Sequence, residues 1–420
     1  MFLHLDLDCF FVSAHRTLDK SLENIPVAVG GRSNLSIFDN KKHTQAISNS
    51  SGAFVSSILT QENRNFKEYF KDDNGRIRGI ITTASYEARA FGVKTAMSVN
   101  EALKLCPNLL MIPPNYPLYH QLSQDLKKLL EYEIPMIEQF SIDEFFGDVT
   151  GYIDESEVFD FANELKQKIK KELDLPISIG IAHSKYLSKL ITEYAKPDGI
   201  KHIKKEHMPN FIKDIAIEEF PGIGKNYTKK LQGYGIKTLG DIKSRKELFY
   251  SWKKPGIQLY NRVCGINDRK LNAIRDKKSI GIGRTFDVIY NRVELQRRVV
   301  ILCRYLCFLV KKAKVNPLSY AIKIKYESNI KSKNYINVNT LFNENDFKIK
   351  MKRLFINSDK HPSHGVVQLN ITVYNFADNS KYTYNLFEYE NDLKKQELTN
   401  KVQDLRNKFG IDIIKSASEL

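Results

Sequence analysis

The chain of 420 residues is poor in cysteine and has no long apolar run. Its five cysteines are scattered, without a CxxC pair or a Cys/His metal spacing: Cys9, Cys106, Cys264, Cys303 and Cys307. We expect free thiols in a reducing compartment, which excludes a disulfide-stapled secreted domain. No segment reaches the ~18 apolar residues of a membrane span. The opening MFLHLDLDCFF places two acids where a signal peptide needs an apolar core. These absences predict a cytoplasmic protein without a membrane segment.

Acidic residues are outnumbered by basic ones: the chain has 65 Lys and Arg and 49 Asp and Glu, which gives a formal net charge of +16. This balance favours a polyanionic partner, because basic side chains that neutralise phosphates release condensed counterions. A basic protein without such a partner is the alternative that charge alone leaves open.

Acidic residues stand out at two distant places. Asp6 and Asp8 are two apart on a predicted buried strand and so share one face, while Asp143 and Glu144 are adjacent at a predicted hairpin turn. Carboxylates that converge on one spot repel each other unless a cation joins them. Mg²⁺ suits such a site, and paired Mg²⁺ ions ~3.5–4 Å apart serve in-line phosphoryl transfer. Surface or turn acids without a metal are the alternative.

Candidate phosphate-binding residues lie between and after these acids. Tyr86 and Arg89 are three apart at a predicted helix start and share a face. Arg89 could hold a phosphate with two hydrogen bonds, Thr83 could add a hydroxyl, and Lys196 a point charge. Each residue taken singly could equally be a solvated side chain.

Segment 220–231, FPGIGKNYTKKL, indicates a different kind of site. Gly222 and Gly224 allow backbone N–H groups to face an anion at a helix N-terminus. With helices on both sides, this pattern predicts a helix-hairpin-helix that binds the DNA backbone without reading its sequence.

The organisation of the chain suits two to four domains, at roughly 100–200 residues per domain. Strands and helices alternate up to about residue 203, short helices follow, and the basic stretch 267–279 leads to a last unit. That unit has a split βα pattern of the ferredoxin-like kind, with predicted strands 280–288, 319–326, 333–341 and 365–376 and predicted helices 292–313 and 343–356. Segment 32–78 is a Ser- and Asn-rich stretch, predicted to be an inserted loop with a short helix in 61–71.

Five ordered motifs resemble those of the Y-family translesion DNA polymerases, close to the bacterial polymerase IV and polymerase V catalytic-subunit types. They are LDLDCFF (5–11), TASYEARAFGVKTAMS (83–98), SIDEFF (141–146), SIGIAHSKYLSKLITEYAKPDGI (178–200) and FPGIGKNYTKKL (220–231). The resemblance implies an α+β multidomain fold of the right-hand polymerase type. Its parts would be a ferredoxin-like palm (1–10 and 115–203), small fingers (11–114), a helical thumb (204–270), a linker (271–280), a βα little finger (281–390) and a C-terminal tail (391–420).

The resemblance also implies roles for individual residues. Two Mg²⁺ ions would be held by Asp6, Asp143, Glu144 and the backbone carbonyl of Leu7. Asp8 matches a family aspartate that is not usually a direct ligand. Phe11 matches the steric gate against a ribose 2′-hydroxyl. The triphosphate of a dNTP would be bound by Tyr86, Arg89 and Lys196, with Thr83 a weaker match, and the DNA backbone by Gly222, Gly224 and Lys225.

Two features depart from the family pattern. The family passes from the second strand to the TASYEAR region in a few residues, whereas 32–78 intervene here. This insertion would lie in the fingers, where it could touch the template or extend into solvent. The clamp-binding peptide, Gln-x-x-Leu-Phe in bacterial relatives, corresponds to 383–387, in which Leu386 and Phe387 keep the apolar anchors but Thr383 replaces the glutamine. Weak binding to the replicative sliding clamp is therefore expected.

These observations predict a low-fidelity, template-directed DNA polymerase of translesion synthesis, which transfers nucleotides from dNTP to a primer 3′-hydroxyl on a primed DNA template. It would be a monomer in the bacterial cytoplasm, associated with the nucleoid when active. Two alternatives are an inactive scaffold of the same family that binds DNA and the clamp, and a palm-type nucleotidyl cyclase. The cyclase would need neither the PGIG segment nor the basic last unit.

Overall fold

The computed structural model describes residues 1–33, 35–39, 69–71, 75–266, 271–272, 277–377 and 387–420. The chain divides into two compact units. The first comprises Met1–Gly31 and Arg64–Arg275, and the second comprises Arg32–Asn63 and Asp276–Leu420. Within the described ranges, no helix combines the length and the apolar character that crossing a membrane requires.

The first unit is built on a five-stranded sheet in the order β5-β6-β1-β7-β8. The central strand β1 is buried along its whole length, as its mostly apolar sequence FLHLDL favours, and it pairs antiparallel with β6 and β7. The strands are β1 (Phe2–Leu7), β5 (Met136–Gln139), β6 (Glu144–Asp148), β7 (Ile177–Ala182) and β8 (Ile200–His202). Because β1 is central, its polar residues lie beside residues of both neighbouring strands.

A smaller three-stranded sheet, in the order β3-β2-β4, belongs to the same unit. Its strands are β2 (Val27–Gly31), β3 (Ile80–Ala84) and β4 (Leu110–Ile112). Helix α1 (Phe10–Leu18) connects the two sheets along the chain, and α2 (Tyr86–Ala90) and α3 (Val99–Leu105) follow β3. The side chain of Ser85 caps α2 by accepting a hydrogen bond from the Ala88 N–H.

Three longer helices accompany the five-stranded sheet: α4 (Tyr116–Glu133), α5 (Val158–Leu173) and α6 (Lys185–Glu193). Helix α6 lies so close to β7 that a Cβ atom at Gly180 would collide with the Ser188 carbonyl and the Thr192 N–H. Glycine at this position therefore fixes the distance of α6 from the sheet.

The remainder of the first unit is helical and surrounds a core that includes Phe220, Ile236 and Phe249. Its helices are α7 (Met208–Ile212), α8 (Lys225–Gly233), α9 (Leu239–Lys243), α10 (Lys246–Ser251) and α11 (Lys253–Val263). Gly222 has a φ of +100°, which a residue with a Cβ adopts only under strain. PGIG lies between the 3-10 turn Ile217–Glu219 and α8, so that a helix begins directly after it, as the predicted helix-hairpin-helix requires.

The second unit contains an antiparallel sheet in the order β11-β10-β12-β9. Its elements are β9 (Ser279–Ile289), α12 (Arg292–Lys312), β10 (Pro317–Tyr326), β11 (Lys331–Asn337), α13 (Glu344–Ser358), β12 (Val366–Phe376) and α14 (Tyr389–Phe409). Helices α12 and α13 pack with the sheet in one apolar core. The predicted split βα pattern is confirmed, with boundaries within three residues except at the end of β11.

Residues 35–39, at the start of the inserted segment, belong to the second unit. Ile37 and Phe38 are both buried in its apolar core. The guanidinium of Arg298 lies 4.4 Å from the Phe38 ring centroid, and an Arg297 amine donates to the Phe38 carbonyl at 3.0 Å. This part of the insertion is therefore a packed element. The helix predicted over 61–71 lies largely outside the described residues.

Helix α14 covers a stretch for which the sequence analysis predicted no helix. Its buried residues are mainly polar, and Arg406 forms an ion pair with Glu344 of α13. Close by, Glu419 accepts hydrogen bonds from Arg304 and Lys348, each at 2.6 Å. Burial raises the pKa of Glu419, but these two cations outweigh it and bring the pKa down to about 2. Ion pairs, rather than an apolar stripe, hold this end of the chain.

Candidate active site

Three carboxylates converge at one end of the five-stranded sheet. Asp6, near the end of β1, lies opposite Glu144, the first residue of β6. The turn before β6 carries Asp143, whose carbonyl accepts a hydrogen bond from the Leu7 N–H at 3.0 Å. The structure thus brings together the four residues that the sequence predicted as metal ligands.

The electrostatics of this cluster show mutual repulsion. Burial raises the pKa of Asp6 to about 7, with Asp143 and Glu144 adding to the rise against the attraction of Lys196. Burial also raises the pKa of Asp143, although a hydrogen bond from Ser141 opposes the change. Buried acids that repel each other gain from a shared divalent cation. The donor set therefore fits a hard metal ion with oxygen ligands.

Two lysines supply positive charge at the cluster. Lys196 Nζ lies 3.0 Å from Asp6 Oδ1, and Lys189 of α6 forms an ion pair with Glu144. Burial lowers the pKa of Lys196, but Asp6 and Glu193 more than offset this and leave the pKa above its usual value. The sequence analysis proposed Lys196 but missed Lys189, although its spacing of four from Lys185 on an amphipathic helix was a visible signal.

His4 is a further residue that sequence reasoning missed. It shares one face of β1 with Asp6, is fully buried, and its Nδ1 lies 2.8 Å from Thr192 Oγ1. Burial and then the nearby lysines lower its pKa well below the usual value, so the ring is neutral. Ligand atoms of His4, Asp6 and Glu144 lie within 4.8 Å of one another, which places an imidazole beside the acids.

Two of the candidate triphosphate-binding residues contact an acid: Tyr86 of α2 contacts Asp8, and Lys196, which follows α6, contacts Asp6. The Tyr86 hydroxyl donates to Asp8 Oδ1 at 2.8 Å, and the Arg89 guanidinium carbon lies 4.9 Å from the Tyr86 ring centroid. Arg89 is exposed, and its Nε donates to the Ala84 carbonyl at 3.0 Å. Thr83 is half-buried on β3, paired with Val29.

Asp8 is buried and makes no ion pair with the lysines of the cluster within the described part of the chain. Its Oδ2 accepts hydrogen bonds from Ser178 Oγ at 2.7 Å and from the Asp198 N–H at 2.8 Å. Together with Tyr86, these donors bind both carboxylate oxygens. The carboxylate of Asp8 thus accepts its hydrogen bonds from other residues of the protein.

Phe11, the candidate steric gate, lies in the first turn of α1. Its ring stacks on that of Tyr119, with centroids 4.1 Å apart and planes inclined by 8°. Tyr116 meets the same ring edge-on. These aromatic contacts with α4 fix the orientation of the Phe11 ring.

A buried ion pair joins α6 to β5. Lys185 Nζ is 2.5 Å from Glu138 Oε2, and the same oxygen accepts a hydrogen bond from the Asn272 N–H at 2.9 Å. Leu271 is buried with Phe2 and Phe146. The stretch 271–272 is therefore attached to the five-stranded sheet by both polar and apolar contacts.

The candidate DNA-binding residues Gly222, Gly224 and Lys225 are all exposed. Gly224 caps α8, and Lys225 is its first residue, so free N–H groups and an ammonium group lie together. Of the clamp-binding candidates, Leu386 lies outside the described residues, whereas the side chain of Phe387 is 96% exposed.

The chain is similar to known proteins over most of its length. Residues 5–193 match the model of the impB/mucB/samB family. The chain is 30% identical to a DNA polymerase IV of Oceanobacillus iheyensis over 98% of this chain and 90% of the relative. It is 31% identical to DNA polymerase IV 1 of Halalkalibacterium halodurans over 82% and 84% of the two chains.

Among solved structures, the fold is similar to a Y-family DNA polymerase chimera, with a TM-score of 0.73, 20% identity, and coverage of 90% of this chain and 99% of that chain. It is also similar to an insertion ternary complex of Dbh DNA polymerase, with a TM-score of 0.55, 20% identity and the same coverage.

Proposed function

Because this chain belongs to the Y-family DNA polymerases, of the DNA polymerase IV type, we propose that Asp6, Asp143 and Glu144 are its catalytic acids. The protein is a DNA-directed DNA polymerase of translesion synthesis. The observation that carries the assignment is the convergence of Asp6 of β1 with Asp143 and Glu144 at the start of β6, with the pKa of Asp6 raised to about 7. An inactive scaffold is not favoured, because all three acids are present.

The carboxylates of Asp6, Asp143 and Glu144, with the Leu7 carbonyl, would hold two Mg²⁺ ions. Such ions, when bound, favour ionisation of the primer 3′-hydroxyl and neutralise charge on the transferred phosphate. The protein contributes alignment, because the register between β1 and β6 fixes the acids relative to each other. Catalysis rests on positioning and charge rather than on a covalent intermediate.

Arg89, Lys196, Tyr86 and Thr83 would bind the triphosphate of the incoming dNTP. Arg89 has its guanidinium stacked on Tyr86, and its terminal amines are suited to hold two phosphate oxygens. Lys196 would move from Asp6 to a phosphate as a point charge once the acids are neutralised. Phe11 would exclude a ribose 2′-hydroxyl by occupying its space, which gives preference for deoxynucleotides.

Primed DNA would be held through its phosphates by Gly222, Gly224 and Lys225. Leu386 and Phe387 would bind the replicative sliding clamp through apolar contacts, and Phe387→Ala should weaken clamp capture without changing primer extension in the clamp's absence. The enzyme would also have low fidelity and act as a monomer. It would lie in the cytoplasm and associate with the nucleoid when active. Fingers, palm, thumb and little finger would follow the ranges given from the sequence.

Primer extension on a primed template tests the catalytic acids. Asp143→Asn and Glu144→Gln should each lower extension by about a thousandfold, since each removes charge from a preorganised site. Asp148→Asn is the matched control, because Asp148 ends β6 with its carboxylate bonded locally to Thr150. Near-normal extension by both acid variants would refute the assignment. Formation of cyclic nucleotides without primer extension would favour the cyclase alternative.

A further inference from the structure

Asp8 sits immediately after β1, two residues from Asp6, with its side chain buried. Its carboxylate accepts three hydrogen bonds from three separate segments: Tyr86 of α2, Ser178 of β7 and the backbone of Asp198. An ionised carboxylate offers about four lone-pair sites, so most of its accepting capacity is already used within the protein. The geometry suits an anchor between segments better than a cation ligand.

The hydrogen bond to Tyr86 limits what that residue can do. A phenol hydroxyl carries one proton, and here it is donated to Asp8 Oδ1. While this bond holds, the hydroxyl cannot donate to a phosphate. The Tyr86 ring, however, lies against the guanidinium of Arg89, whose Nε is fixed by the Ala84 carbonyl. Tyr86 therefore acts as a platform that orients the terminal amines of Arg89.

The other carboxylate oxygen of Asp8 fixes a second phosphate-binding candidate. Oδ2 accepts the Asp198 N–H at 2.8 Å, and Lys196 lies two residues earlier in the same turn. Lys196 Nζ is 3.0 Å from Asp6. One side chain thus ties together the segments that carry both cationic candidates for the triphosphate.

We propose that Asp8 is a positioning residue for the incoming nucleotide, which acts through the Tyr86–Arg89 pair and the Lys196–Asp198 turn. This inference rests on the proposed function and deepens it in two respects. It assigns Asp8 to the triphosphate subsite, and it gives Tyr86 a role there as the support of Arg89.

Steady-state primer extension and dNTP titration test this proposal. The titration uses the enzyme on a primed template with a dideoxy-terminated primer, so binding is measured without turnover. Asp8→Asn replaces one accepting oxygen by an amide N–H₂ group. It should raise the KM and the dissociation constant for dNTP about tenfold, as expected for the loss of charge-assisted hydrogen bonds, while kcat changes by less than about threefold.

Three further variants sharpen the test. Tyr86→Phe keeps the ring under Arg89 but removes the hydroxyl, and should raise the same KM by about fivefold. The KM for dNTP of the double variant Asp8→Asn/Tyr86→Phe should be no higher than that of Asp8→Asn alone, because both substitutions break the same Asp8–Tyr86 hydrogen bond. Ser178→Ala is the matched control: it removes a donor to the same carboxylate without touching either phosphate-binding segment, and its KM should stay within about twofold.

Other outcomes overturn the proposal. An unchanged dNTP KM in Asp8→Asn, or additive effects in the double variant, would exclude positioning through Tyr86. A kcat loss above about a hundredfold with unchanged dNTP binding would indicate a metal ligand instead. If Asp8→Asn does not fold, the KM values of Tyr86→Phe and Ser178→Ala still test the proposal. Tyr86 is only half-buried, so we expect Tyr86→Phe to fold. Absence of extension by the unaltered protein would refute the polymerase assignment itself, independently of the dNTP titration.

Discussion

Phe10 and Phe11 are neighbours at the start of α1, and both rings contact Tyr119. The family's steric gate corresponds to Phe11 and not to Phe10. Substituting each residue in turn therefore distinguishes a gating role from a packing role. Phe11→Ala should raise the use of ribonucleotides relative to deoxynucleotides by at least about tenfold, because the space for a 2′-hydroxyl is opened. Competing dNTP and rNTP in single-nucleotide extension measures this ratio.

Phe10→Ala is the matched control for the gate. Phe10 is 2% exposed, and its loss should cost about 3–5 kcal/mol of stability with little change in sugar selectivity. Equal selectivity in the two variants would contradict the gate, whatever their stabilities.

At the level of single residues, the acids were predictable and their partners were not. Asp6, Asp143 and Glu144 stood out because acids among apolar neighbours are costly without a cation. The hydrogen bond of Asp8 to Asp198 joins residues 190 positions apart, and no local pattern encodes it. The burial of His4 likewise follows from the central place of β1, which only the tertiary fold defines.

At the level of elements, residues 35–39 are the clearest departure from expectation. Phe38 is 4% exposed, packs edge-on against Phe286 at 6.3 Å and lies under Arg298. Phe38→Ala should therefore destabilise the second unit by about 3–5 kcal/mol. Hydrogen exchange would show this as faster exchange in β9 and α12, the elements that Phe38 touches.

Asp39→Ala is the control for that experiment, because Asp39 is exposed next to Phe38. Its effect should stay within about 0.5 kcal/mol. If Phe38→Ala were as mild as Asp39→Ala, the start of the insertion would not contribute to the core. Two apolar residues in a Ser- and Asn-rich stretch give no periodic signal, which explains why this packing was not predicted.

Helix α14 shows a second limit of periodicity. A surface helix is recognised when its apolar residues face the core. Here Asp392, Thr399, Gln403 and Arg406 are buried, whereas Leu398 and Phe409 are exposed. The pattern is inverted because ion pairs with α13 hold the helix. In contrast, α12 and α13 were predicted closely, since their apolar residues do form the core of the second unit.

At the scale of the whole molecule, the sequence predicted an α/β part, a helical part and a βα unit in the right order, because each has its own periodicity. Contacts group the chain into two compact units, and the first of them contains both the α/β part and the helical part. The helical part shares a core with residues of α6, including Leu187 and Leu190, so it is one compact unit with the main sheet. A core shared by two parts of the chain arises from tertiary packing, so it cannot be predicted from the composition of successive segments.

The net charge of +16 belongs to the molecule as a whole, but DNA affinity should depend on where the charges lie. Each phosphate neutralised contributes about 0.9 to the slope of log affinity against log salt concentration. Lys225→Ala should lower that slope by about one, because Lys225 stands at the exposed N-terminus of α8. Fluorescence anisotropy of labelled primed DNA over a series of salt concentrations measures the slope.

Lys128→Ala removes the same charge from α4, at an exposed lysine paired with Asp125. If local contact with phosphates determines affinity, Lys128→Ala should leave the slope unchanged while Lys225→Ala lowers it. Equal small effects would mean that only the overall field of the protein matters. A slope near zero for the unaltered protein would contradict phosphate binding altogether, and with it the role of the helix-hairpin-helix in holding the DNA backbone.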